Sequence, residues 1–160
     1  MWMQNHQHYR VFDDQSFIKF DERTGFTAGT LVDPFEDTQS TKIHVERHAN
    51  WGNRIPTPFI STTTSRENAL HLAEKRAHRG HLNIRIAIIN GLAVGSVHPV
   101  SVLITTTGAE IDGIARNRSE HLCVHHIPRE AITKICTLSE FINYCSEQGD
   151  LYLPYVFGHH

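Results

Sequence analysis

The chain has 160 residues and is 39% hydrophobic, enough for one globular domain with a buried core. Fifteen basic against seventeen acidic residues leave a formal charge of −2, so the chain as a whole carries no electrostatic footprint for nucleic acid. No apolar run approaches the roughly 18 residues of a membrane span, and the polar, His-rich stretch 1–9 has no secretory apolar core.

In chain order, His8 to Asp13 reads as a strand carrying Arg10 between the strand formers Tyr9, Val11 and Phe12. Residues 14–20 suit a helical turn, and 21–41, with scattered Asp, Thr, Gly and Pro34, suit a long surface loop. Residues 41–50 resemble a short helix in which His44 and His48, at i and i+4, form a surface pair. Pro56 and Pro58 then hold the chain extended, and Phe59 to Thr64 is aromatic and β-branched, as a half-buried strand should be. Ser65 is placed to cap a helix over 66–77, with Ala69, Leu70, Ala73 and Ala77 at helical spacing. This strand and helix organise the rest, because hydroxyls at a strand end set polar groups at the rim of a sheet.

Leu82 to Ile89 predicts a strand with Leu82, Ile84, Ile86 and Ile88 on one face, turned by Asn90-Gly91. Residues 100–107 read either as a strand or as a buried loop, and 111–119 as a polar loop. Glu120 to Ile127 predicts a strand in which Glu120 shares a face with Leu122 and Val124. A turn at Pro128, a short strand over 133–137, a helix over 138–146 and an apolar tail over 151–158 complete the chain.

Three cysteines, Cys123, Cys136 and Cys145, are too few and too scattered for a disulfide framework or a CxxC zinc site. Thirteen histidines include no HExxH, and His125 and His126, adjacent on one strand, point to opposite faces. No metal is expected. His159-His160 carry no part of the reading. The pattern fits a reduced cytoplasmic protein, with a secreted effector stripped of its leader as the alternative.

Arg10, the Ser61-Thr62-Thr63 run and Glu120 are thus three strand-borne polar groups. Their order resembles the mono-ADP-ribosyltransferase fold, in the branch of cholera toxin and heat-labile enterotoxin A subunits. The aromatic-Arg pair of its first strand is matched by Tyr9-Arg10-Val11. Its Ser-Thr-Ser strand is matched, with one change, by Phe59-Ile60-Ser61-Thr62-Thr63, and its glutamate-led strand by Glu120 through Ile127-Pro128. The resemblance covers about residues 8–135. The N-terminal part also resembles an uncharacterised domain of filamentous-fungal proteins.

The resemblance implies an α+β fold, a split β-sandwich with flanking helices, and NAD as substrate. In that reading Glu120 stabilises an oxocarbenium-like ribose and Arg10 offers a forked cation to the dinucleotide. The backbone of Val11 holds the nicotinamide amide, and Ser61 orients Glu120. Thr62 and Thr63 support the strand or touch ligand, and His48 lines the cleft. The implied partners are NAD and a macromolecular acceptor, protein or nucleic acid, with the chain acting as a monomer away from membranes. One departure stands out. Two residues before Glu120, where members carry Glu or Gln, this chain has Arg118, with Arg116 nearby. A guanidinium repels an arginine acceptor. The sequence therefore leaves open a transferase with another acceptor, an NAD glycohydrolase, and a non-catalytic binding module of the same fold.

Overall fold

The computed structural model describes residues 6–50, 52–111 and 119–149. Asp112, Arg116, Arg118 and the apolar tail 151–158 lie outside them. The strands are β1 (Gln7–Phe12), β2 (Phe20–Asp21), β3 (Gly25–Thr27), β4 (Phe59–Thr63), β5 (Arg85–Asn90), β6 (Val97–Pro99), β7 (Glu120–Val124), β8 (His126–Pro128) and β9 (Ile132–Thr137). The α-helices are α1 (Thr38–Ala49), α2 (Arg66–His78), α3 (Val100–Thr107) and α4 (Leu138–Glu147).

A six-stranded antiparallel sheet runs β6-β7-β4-β1-β5-β9, and a three-stranded sheet runs β2-β3-β8. Between them lies an aromatic and aliphatic core of Phe12, Ile60, Ala87, Ile89 and Cys123 against Phe26 and Ile127. The other face of the large sheet is covered by α2 and α4, packed on Tyr9, Val11, Ile86 and Ile88. Beside them Val45 of α1 and Leu103 of α3 pack on Phe59 and Leu122. Strand β5 reads as an unbroken apolar run because both of its faces are buried.

Each cap has a local cause. The Asp37 carboxylate accepts from Ser40 N at the start of α1, and Ser65 Oγ accepts from Asn68 N at the start of α2. Thr137 and Glu140 form a reciprocal capping box on α4.

Several expectations are corrected. Residues 14–18 form a turn without helix, and the loop expected over 21–41 holds the β2–β3 hairpin and the start of α1. The predicted strand from Leu82 begins only at Arg85, leaving Leu82 70% exposed. The undecided stretch 100–107 is α3, stopped by Gly108 at φ 73°. The single strand expected over 120–127 is two. His125, at φ 66°, ends β7 and passes the chain into the smaller sheet as β8. His125 and His126 then bond different carbonyls, those of Val32 and Thr24.

Candidate active site

Strands β1 and β4 register at one pair, Tyr9 with Thr63, whereas β1 and β5 pair from Gln7 to Phe12. The large sheet is splayed at this seam, and β4 must satisfy its backbone there by other means. Arg10 supplies one: its Nη1 donates to Ser61 O at 3.1 Å, while Nη2 donates to Ile18 O at 3.3 Å. The guanidinium stacks 4.9 Å from the Phe26 ring centroid, and Nε has no partner. Among the described residues no carboxylate lies within ion-pairing distance of Arg10. Burial, and then the nearby Arg76 charge, pull its pKa down to about 10.

The Ser61 side chain looks the other way, toward α1. Its Oγ lies 2.7 Å from His48 Nε2, and His48 Nδ1 lies 2.5 Å from Thr57 Oγ1. His48 packs edge-on against Phe59, its centroid 5.8 Å away. Burial and the Arg10 charge lower its pKa to about 4, so the imidazole is neutral at physiological pH. Glu120 opens β7 opposite Thr63, with Ser61 opposite Leu122. Burial raises the Glu120 pKa above the ordinary glutamate value, and hydrogen bonding from the Ser61 side chain opposes that rise.

Glu120 and His48 line a small recess, partly open to solvent, with Val45 and Ala49 of α1, Val100 of α3, Ile111 and Leu122 completing it.

Three sequence-predicted groups therefore meet at Ser61, but from two sides. Strand alternation directs Arg10 toward the smaller sheet with Ala87 and Phe26, and Glu120 toward α1 with Leu122. Arg10 binds the carbonyl of Ser61, His48 meets its hydroxyl, and Glu120 lines the recess on the same side. Thr62 faces away from the recess, its Oγ1 3.0 Å from His8 Nδ1. Thr63 bonds Ser119 Oγ at 2.7 Å and accepts from Ser65 N at 3.1 Å, which fixes the strand-to-helix turn. Val11 registers with Ile86, its side chain buried under the helices.

His48 is not a surface partner of His44. It stands on the buried Thr41–Val45 stripe of α1, three residues past Val45, and that spacing is the sequence signal for its inward position. Thr57 was not singled out by sequence, since nothing in an extended Pro-Thr-Pro segment marks a buried hydroxyl.

A family model described as a domain of unknown function (DUF7587) matches residues 3–141, well beyond the N-terminal part. No curated protein matches the chain. Among solved structures, EcPltA, a pertussis-like toxin A subunit with an ADP-ribosyltransferase fold, superposes with a TM-score of 0.58 at 21% identity. The match covers 82% of this chain and 74% of that one. The expected α+β, ADP-ribosyltransferase-like fold is thus found. Among the described residues no helix is long and apolar enough to cross a membrane, and no cluster of His, Cys, Asp or Glu could hold a metal ion.

Proposed function

The chain belongs to the DUF7587 family and has an ADP-ribosyltransferase-like fold, and from that premise we propose that its recess takes the nicotinamide-ribose end of NAD for glycosidic cleavage. The observation that carries the reading is a half-buried carboxylate, Glu120, on the strand paired with the one that bears Ser61, lining one recess together with His48. In the reaction the bond between ribose C1′ and the nicotinamide nitrogen breaks, and its electron pair leaves with nicotinamide. Positive charge then develops on the ribose ring, where a fixed carboxylate in a water-poor site stabilises it. Water or an acceptor nucleophile attacks C1′ and loses a proton, giving ADP-ribose or an ADP-ribosylated product.

Arg10 acts in this reading chiefly as a strut. It ties β4 to β1 through Ser61 O and keeps a positive potential next to the site. The acceptor is not a protein arginine, because Arg118 stands two residues before Glu120 in the sequence. Nucleic acid, another protein nucleophile and water remain as acceptor classes. Labelled NAD incubated with mixed protein and nucleic-acid acceptors tests the reading. Nicotinamide release by the wild type and none by Glu120→Gln supports it, and equal release from both overturns it.

A second reading is supported by the Arg10 guanidinium, which is engaged by two carbonyls and largely shielded from a phosphate. In that reading the fold binds a nucleotide or partner without turnover. NAD binding by calorimetry without nicotinamide release selects it.

A further inference from the structure

We propose that Asn68, in the first turn of α2, is a positioning residue that holds Glu120 in place through Ser119. Glu120 is the first residue of β7, and a strand end has ladder support on one side only and opens readily. Its place therefore depends on how Ser119, the residue before it, is held. Ser119 carries the β4–β7 register one step further, opposite Thr64, and its carbonyl accepts from Thr64 N and from His121 Nδ1, each at 3.0 Å. The Ser119 hydroxyl lies 2.7 Å from Thr63 Oγ1 and accepts from Asn68 Nδ2 at the same distance. Thr63, Thr64 and His121 belong to the two paired strands or follow them directly. Asn68 is the partner that a helix supplies.

The start of α2 explains why Asn68 reaches across to β7. Ser65 is the N-cap and Asn68 the third helical residue, the position from which a Glu or Gln side chain returns to the cap N–H. In this chain Thr63 Oγ1 accepts from Ser65 N at 3.1 Å, so the cap N–H is already satisfied. Asn68 N still donates to Ser65 Oγ at 3.0 Å, while its side chain, shorter than Gln, bonds Ser119 instead. The first turn of α2 and the residue that leads into Glu120 are thereby tied together.

The test is amide hydrogen exchange on the full chain, in the wild type, Asn68→Ala, Ser119→Ala and the double variant. Asn68→Ala should speed exchange of the Thr64 amide, which donates to Ser119 O, by roughly tenfold, the size of one hydrogen bond. In the Ser119→Ala background the same change should alter that rate by less than about twofold, because the side chain through which Asn68 acts is gone. An unchanged Thr64 rate in Asn68→Ala, or equal acceleration in both backgrounds, overturns the proposal. Asn68→Ser, also too short to reach Ser119, takes the place of Asn68→Ala where that variant fails to fold.

A kinetic arm rests on the NAD reading above. Asn68→Ala lowers kcat for nicotinamide release by roughly tenfold with KM held within about twofold, and the fall is absent in the Ser119→Ala background. An unchanged kcat in Asn68→Ala, or the same fall in both backgrounds, also overturns the positioning role. A wild type that releases no nicotinamide removes the NAD reading, while the exchange rates still decide whether Asn68 holds the start of β7.

Discussion

Asp13 follows β1 directly, and replacing it with Asn probes how the strand bearing Arg10 is anchored. Arg76 Nη1 donates to Asp13 Oδ2 at 3.1 Å, His81 Nδ1 lies 2.8 Å from the same oxygen, and Gln15 N donates to Oδ1 at 2.7 Å. The carboxylate side chain is 1% exposed, while Arg76 and His81 are 30% and 24% exposed, so the cluster sits just beneath the surface. In Asp13→Asn the new amide N–H would face two donors. Two charge-assisted bonds of roughly 1.5–3 kcal/mol each are disrupted. Water screening of the partly exposed partners reduces the loss to about 2 kcal/mol at pH 7.

With a urea m-value of about 2 kcal/mol/M, the midpoint falls by about 1 M. The pH dependence has a definite sign. Burial pushes the Asp13 pKa up, but the bonds from His81 and Gln15 N and the Arg76 charge outweigh it and leave the pKa below the ordinary 3.8. Its contribution is therefore complete above the unfolded value and is lost as pH falls through the lower folded value. Urea unfolding followed by far-ultraviolet circular dichroism, from pH 7 down to about pH 3, reads both effects. A difference between wild type and Asp13→Asn that stays constant over that range refutes the argument, as does one below about 0.5 kcal/mol at pH 7.

Gly25→Ala should cost about 3 kcal/mol or more in the same assay, since φ is 92° and an added Cβ would stand 2.1 Å from Ile127 O, forcing β3 off β8. A loss under about 1 kcal/mol would show that this pairing adjusts freely. Glu120→Gln should abolish nicotinamide release and unfold no more easily than the wild type at pH 7, because the folded state disfavours the Glu120 charge. A clear loss of stability would mean that the carboxylate is structural. Release should decline with acid at a pH above the ordinary glutamate value of 4.5, and Ser61→Ala should move that limb higher, as it removes the hydrogen bond favouring the charge. A limb at the same pH in both would separate Ser61 from Glu120.

The sequence makes legible those elements whose own residues decide them. Ser65 announces α2, the apolar run before Asn90 announces β5, and Glu120 with Leu122 announces β7. Helix α3 escapes because Val100, Val102, Ile104 and three threonines carry β propensity. Its hydroxyls bond back along the helix instead, Thr105 to Ser101 O, Thr106 to Val102 O and Thr107 to Leu103 O. The β2–β3 hairpin escapes for another reason. Strands of two and three residues have little local signal, and rings from different parts of the chain, Phe12, Phe20 and Phe26, hold it by mutual contact. In the site, Arg10, Ser61 and Glu120 were visible as polar groups on strands. The contact of His48 with Thr57 and Ser61 was not, because it joins a helix to a proline-flanked segment across the fold.

The narrow join between β1 and β4 divides the molecule by tolerance to change. Substitutions confined to β9 and α4, which lie beyond β5 from the recess, act on thermal robustness and leave His48, Ser61 and Glu120 in their mutual positions. Those at Tyr9, Arg10 or Thr63 alter robustness and chemistry together. An engineer seeking a hardier variant therefore has the β9 and α4 edge of the domain to work in without retuning the site.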